Sequence, residues 1–503
     1  HRPGVGPGLA GQSHHRLRDA VVYARLKHTR MSFMPTTRNS HDKERQPTPQ
    51  QPDVNAVPEK VKGQPQLLRG MKDILPVDQP YWKAVIDAVD GIARGSAFDR
   101  IDTPVLEAAS LFTRTVGQDT DIVDKEMYTF LDKSGDKLAL RPENTASVAR
   151  AYLEHGMVSW PQPVRLFYMA PFFRHDRPQA GRYRQFWQFG FEVLGDGHPV
   201  VDAQVIYLGV SVYKQLGIPV NVQINSIGDK QCRPGYIRQL SEYFKSRKNS
   251  LCEDCKRRLT KNPLRILDCK VPDCHTVSQD APQTVDHLCE ACKEHFVRVL
   301  EYLDELNVPY TLNPRIVRGL DYYTRTVFQI VEEGAEEQTG QSDLGGGGRY
   351  DDLLHQLGNR DVPAVGYTGG IERLILKMHE RNVKPSEPAH PDLFLAQLGE
   401  PARKKALKLY DVFRSLGIGV AESFSKDGLK QQLEAANRLK ASFALIIGQK
   451  EMMDDTILIR DMESGIQEVV DFKKVVPEMQ KRLSKAGPMA TPPVAPAQPE
   501  ASV

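Results

Sequence analysis

Apolar residues recur at helical spacing over residues 81–93, 206–216 and 370–379, and each run predicts an amphipathic helix. Elsewhere the pattern is alternating or continuously apolar, and residues 138–140, 164–169, 186–194, 220–227 and 326–331 predict strands. Residues 167–195 predict two antiparallel strands joined by a loop rich in Arg, Asp, Pro and Gly. Side chains alternate along a strand, so Phe186, Gln188, Gly190 and Glu192 share one face of the return strand. A cysteine-rich stretch after Lys248 breaks the alternation and predicts a mostly helical insertion, at about 229–312. The Pro-rich segment 385–391 predicts a linker. Beyond it, four short β-rich runs (392–397, 419–423, 443–448 and 456–459) alternate with helices, as in a compact α/β module.

The ends depart from this pattern. Residues 1–64 carry Pro, Gly, Gln, Ser and Arg without sustained apolar periodicity, and predict a disordered or non-native extension. Met31 and Met34 are candidate starts, and an Arg-rich organellar presequence is the alternative. Residues 487–503 predict a disordered Pro/Ala tail. Between them lie a main domain, 65–386, that contains the insertion, and a second domain, 387–486.

The 503 residues carry a net charge of only +3, so no global basic field marks a nucleic-acid binder, and RNA contact has to come from local patches. No apolar run approaches the roughly 20 residues that span a bilayer, and the expectation is a cytoplasmic protein without membrane partners. Six of the seven cysteines fall between Cys252 and Cys292, which is not a secreted disulfide framework. Two C-x-x-C pairs stand among them. The expectation is one structural Zn²⁺ held by Cys252, Cys255, Cys289 and Cys292, away from the chemistry, weighed against buried, inert thiols.

The densest chemistry is R-G-L-D-Y-Y-T-R-T-V-F from Arg318: guanidinium forks suited to phosphate or carboxylate, beside phenols that can hydrogen-bond a polar ring. The glycine run at 345–348 has the look of a phosphate loop or a linker, but lacks the Gly-Lys-Ser/Thr ending of a P-loop.

These stretches together resemble the histidyl-tRNA synthetases, a class II aminoacyl-tRNA synthetase family. The Arg318 string resembles one histidine-specific signature, and the glycine run with Arg349 and Tyr350 resembles the other. Residues 102–107, 167–195 and 366–374 resemble the three class II motifs, in family order. The resemblance runs from about Leu67 to the end of the second module. It implies an α+β fold: a six-stranded antiparallel catalytic sheet with flanking helices, the insertion, and a C-terminal α/β anticodon-binding domain. Composition alone gives only an α+β enzyme with a second module.

By the same resemblance, L-histidine is activated with ATP and Mg²⁺ and passed to tRNA(His) by a homodimer. Arg174 and Arg318 are the catalytic cations. Glu143, Thr145 and Gln188 hold the α-amino group, while Glu192, Tyr322 and Tyr323 read the imidazole. Phe186 and Arg373 sandwich adenine, with Arg182 and Arg373 near the outer phosphates. Arg177 and Gln179 reach the tRNA acceptor end. The alternative is a noncatalytic paralogue, a regulatory or tRNA-sensing subunit. It is expected to lose the C-terminal module and parts of the histidine signatures, and this chain retains both.

Overall fold

The computed structural model describes residues 65–117, 120–178, 181–334, 343–387 and 389–485. The extension at 1–64, the tail at 487–503 and the expected tRNA contact Gln179 lie outside the described residues.

Eight strands form the main sheet, in the order Asp99–Arg100, Val164–Phe173, Gln185–Leu194, Ala364–Gly370, Asp343–Arg349, Thr324–Glu332, Val220–Ser226, Tyr310–Leu312. The inner six are antiparallel throughout. The two short outer strands pair parallel to their neighbours and extend the six-stranded sheet at both edges. A smaller antiparallel sheet joins Leu106–Ala108, Lys137–Leu140 and Thr129–Leu131.

Alternation along the long hairpin sorts its side chains onto two cores. Phe167, Met169, Phe189, Phe191 and Val193 face the helices Gln79–Gly95, Pro199–Gln215 and Ile371–Glu380. Leu166, Tyr168, Ala170 and Phe172 face the other way, toward the helix Thr145–Glu154 and the insertion. Gln188, Gly190 and Glu192 alternate with the first set, so the face that carries the expected site residues is the one the insertion covers.

The glycine run is a central strand, Asp343–Arg349, neither a loop nor a linker. Its neighbours occupy the space that side chains would need. A Cβ on Gly347 would stand 2.9 Å from both Phe328 Cζ and Tyr367 Cα, and closer still to the Gly366 carbonyl oxygen.

The insertion is mostly helical: Arg233–Lys245, Glu253–Lys261, Leu264–Leu267, Pro272–Gln279 and Glu290–Glu305. It has no separate core. Tyr236, Leu240, Leu259 and Ile266 join the cluster that holds Tyr322 and Tyr323, whereas Phe296, Val299 and Leu303 join the core on the opposite face.

The C-terminal module is a five-stranded mixed sheet ordered Val420–Glu422, Leu393–Gln397, Phe443–Ile447, Thr456–Asp461, Gln467–Asp471, with separate apolar clusters on its two faces. The fifth strand is absent from the sequence reading because it is a largely exposed edge and carries no buried apolar run.

Candidate active site

One cavity of about 310 Å³ gathers most of the expected residues: Glu143, Thr145, Arg174, Arg182, Phe186, Gln188, Arg318, Tyr322, Tyr323 and Arg373 all line it. They arrive from four separate stretches, one of them the helix Ile371–Glu380 that carries Arg373, and sheet topology brings them together. The hairpin supplies Arg174, Arg182, Phe186 and Gln188. The turn before Thr145–Glu154 supplies Glu143, and the segment entering Thr324–Glu332 supplies Arg318 and both tyrosines.

Glu143 is 4% exposed. Its carboxylate accepts the backbone N–H groups of Thr145 at 2.7 Å and Ala146 at 3.0 Å, and the Tyr322 hydroxyl donates to it at 3.4 Å. It therefore caps the start of its own helix while facing the cavity. Burial pushes its carboxyl above the usual range, against those backbone donors.

Glu192 is fully buried and lies behind the cavity rather than in its wall. Three hydroxyls donate to it: Tyr350 at 2.6 Å, Thr145 at 2.8 Å and Tyr168 at 3.4 Å. Burial pushes its carboxyl up to about 8, opposed by those hydroxyls. Thr145 thus spends its proton on Glu192 and presents its remaining surface to the cavity.

Arg174 donates from Nε to the Pro142 carbonyl at 2.9 Å and stacks over the Phe186 ring, 5.3 Å from its centroid. Burial lowers its pKa, while Glu126 and Glu143 work the other way. Arg318 sits 5.8 Å from the Tyr323 centroid, and its buried Nε has no hydrogen-bond partner among the described residues. Burial works against its charge, but Tyr323 and Asp343 outweigh that and raise its pKa. Tyr322 and Tyr323 pack ring to ring at 4.7 Å. Arg373 donates to the Asp343 carbonyl, Arg182 pairs with Asp176 at 3.1 Å, and Arg177 is exposed outside the cavity.

Several cavity residues are missing from the sequence reading. Glu126 comes from the short turn Ile122–Glu126, and burial raises its carboxyl. Glu372 receives the Trp187 N–H at 2.9 Å, and burial pushes it to about 7. Arg265 enters from the insertion, 3.7 Å from Asp121, which also takes Arg258 at 2.6 Å. The segments of Glu126 and Arg265 carry no recognisable motif, whereas Glu372 stands beside Arg373 inside the 366–374 stretch and was passed over there. The one legible signal was the density of charge around Asp121 and Arg258. Arg349, in the second signature, is a buried brace: fully enclosed, it pairs with Asp202, and Asp202 also meets His295 at 3.3 Å.

The expected zinc quartet does not form. Cys252 and Cys255 group with Cys269 and Cys274, while Cys289 and Cys292 group with Asp229 and Cys232. The reason lies in the packing. Cys255, Cys269 and Cys274 are buried in the core under the functional face, whereas Cys289 and Cys292 open the helix Glu290–Glu305, which packs toward the opposite core.

The family profile described as Histidyl-tRNA synthetase matches residues 70–374, and an Anticodon binding domain profile matches 392–482. A histidine–tRNA ligase of Dehalococcoides mccartyi is 46% identical over 418 residues, 82% of this chain and 99% of its own. The chain belongs to the histidyl-tRNA synthetase family. A second histidine–tRNA ligase, from Pelotomaculum thermopropionicum, is 44% identical over 417 residues, 83% of this chain and 97% of its own. The crystal structure of apo S. aureus histidyl-tRNA synthetase aligns with a TM-score of 0.70 at 33% identity, covering 83% of this chain and all of that one. The class II fold expected of a histidyl-tRNA synthetase is therefore present, with two parallel edge strands added to the six-stranded sheet. No helix among the described residues is long and apolar enough to cross a membrane.

Proposed function

We propose that this chain is a histidine–tRNA ligase. It joins L-histidine to ATP as histidyl-adenylate, releases pyrophosphate, and transfers the histidyl group to the 3′ end of tRNA(His). The observation that carries this is the single cavity in which Arg174 and Arg318 meet an acidic, hydroxyl-bearing wall of Glu143, Thr145, Tyr322 and Tyr323.

In the first step the histidine carboxylate attacks the α-phosphorus, and negative charge grows on the phosphoryl oxygens. Arg174, held by Pro142 and Phe186, grips the α-phosphate and carboxylate side. Arg318 neutralises the growing charge with donors already aimed into the cavity. Glu143, Thr145 and Gln188 take the α-ammonium, and Tyr322 and Tyr323 meet the imidazole. Glu192 acts on the bound histidine at one remove, through the Thr145 hydroxyl that donates to it at 2.8 Å. Phe186 and Arg373 flank adenine, and Arg182 meets the outer phosphates. Mg²⁺ accompanying ATP would neutralise those phosphates when bound. The wall carboxylates Glu126 and Asp343 suit it, and Asp343 Oδ1 is buried without a hydrogen-bond partner among the described residues.

By the family resemblance Arg177 and Gln179 are the contacts for the tRNA acceptor end, the C-terminal module holds the anticodon, and the enzyme works as a cytoplasmic homodimer. The noncatalytic alternative is disfavoured by the relatives, which are named as ligases over nearly their whole length. A solved structure titled ATP phosphoribosyltransferase regulatory subunit/histidyl-tRNA synthetase, from Bacillus halodurans, shares the fold at 22% identity with a TM-score of 0.53.

Histidine-dependent ATP–pyrophosphate exchange tests the reading. Wild type should exchange, and Arg318→His should lose about 100-fold or more while remaining folded. Wild type without exchange would overturn the function, and a fully active, folded Arg318→His would overturn the role of Arg318.

A further inference from the structure

The cysteine cluster inside the insertion has no part in this chemistry. We propose that Cys252, Cys255, Cys269 and Cys274 coordinate one structural Zn²⁺. Their four sulfurs lie within 4.8 Å of one another. Cys252 Sγ and Cys269 Sγ are 3.9 Å apart, and a tetrahedron with Zn–S bonds of about 2.3 Å has sulfur–sulfur edges of roughly 3.8 Å. Such short separations fit a single ion, since the thiolates of a multi-iron cluster stand farther apart. All four thiols are free of disulfides, and three are buried, which gives the closed site of a structural metal rather than the open position of a catalytic one.

Sequence and backbone agree with this arrangement. The four residues form two close pairs, C-x₂-C and C-x₄-C, each within the range used by zinc ligands. The first pair opens the helix Glu253–Lys261, and Cys274 lies in the first turn of Pro272–Gln279. Backbone N–H groups are aimed at the sulfurs: that of Cys252 at Cys274 Sγ, 3.1 Å, and that of Cys255 at Cys252 Sγ, 3.4 Å. Donors of this kind favour thiolates over thiols, as ligand sulfurs require. Packing alone does not account for four thiols converging from three elements.

The ion has a structural task. Between Cys255 and Cys269 the chain carries Arg258 and Arg265, which clamp Asp121, and Arg265 reaches the catalytic cavity. Closing the loop at its base fixes the segment that delivers them. The second group, Asp229, Cys232, Cys289 and Cys292, is a weaker candidate, because Arg325 already holds the Asp229 carboxylate at 3.5 Å.

Elemental analysis and zinc-edge X-ray absorption on full-length protein, purified under reducing conditions without added metal, test the proposal. Wild type should carry at least about one zinc per chain, in a shell that includes a four-sulfur site at about 2.3 Å. Cys269→Ser should lose about one equivalent, and Cys289→Ser should keep it. Zinc well below one equivalent, iron in its place, or a shell of three sulfurs and one oxygen as the sole site would overturn the assignment. So would zinc that survives Cys269→Ser and leaves with Cys289→Ser. Should Cys269→Ser fail to fold, the stoichiometry and shell of wild type still decide the matter.

Discussion

Gly346 offers a way to move Arg318 without touching it. A Cβ at this position would lie 2.6 Å from Arg318 Cζ and 2.8 Å from Nη2, and nearer still to Nη1, with no backbone atom among its three nearest neighbours. Ordinary contact begins near 3.4 Å, so in Gly346→Ala the guanidinium has to withdraw by roughly 1 Å, a displacement that costs on the order of 100-fold in a preorganised site. The strand itself accepts alanine, because Gly346 lies in extended backbone with no positive φ. Exchange activity should therefore fall about 100-fold, or about 2.7 kcal/mol of transition-state stabilisation, with little change in melting temperature. Gly347→Ala is the control. There the new methyl meets Tyr367 Cα and the Gly366 carbonyl, which cannot swing aside, and stability should drop by about 3 kcal/mol or more. Exchange kinetics and thermal unfolding on both variants check this. Near-normal exchange in Gly346→Ala, or a stability loss equal to that of Gly347→Ala, would refute the reasoning.

Three further outcomes follow from the buried carboxyls. Glu192→Gln should weaken histidine binding far more than ATP binding in equilibrium titrations, and equal losses would make Glu192 a purely structural residue. The same variant has a pH signature. Burial raises the Glu192 carboxyl from 4.5 to about 8, so its contribution to stability is whole below about pH 4.5 and is lost as pH rises through 8. Urea unfolding between pH 5 and 8 should show wild type losing stability more steeply than the variant, by up to about 1.4 kcal/mol per pH unit. Asp202→Asn removes the fully buried carboxylate that pairs with the enclosed Arg349, leaving only Asp351 at 3.1 Å, and should cost about 3 kcal/mol in denaturant unfolding; a loss under about 1 kcal/mol would contradict the brace.

Periodicity carried most of the architecture into the sequence, because helices and strands that bury one face must repeat apolar side chains at fixed intervals. It failed where side chains are missing or exposed. Residues 345–348 have nothing to alternate, and only their neighbours make them a strand. Gln467–Asp471 is an edge with little to bury. The site was legible wherever one motif carries several residues, as at 318–323 and 186–192. Glu126 and Arg265 contribute one side chain each from unremarkable segments, so only the fold brings them in. Cysteine spacing likewise showed which neighbours pair along the chain, Cys252 with Cys255 and Cys289 with Cys292, but not which pair meets which across two cores.

The order of pairing in the sheet also bears on how the chain reaches this state. Val220–Ser226 hydrogen-bonds to Thr324–Glu332 with the whole insertion between them. Equilibrium barely registers so long a loop, since each doubling of its length costs only about 0.6 kcal/mol. The search for the partner strand does register it, because non-local antiparallel pairing is slow. The glycine strand has nearer partners in the chain, Thr324–Glu332 on one side and Ala364–Gly370 on the other, so its pairings demand no such search. The cavity draws its lining from Asp121 through to Arg373, so a ribosome releasing this chain must finish nearly the whole first domain before any adenylate can be made.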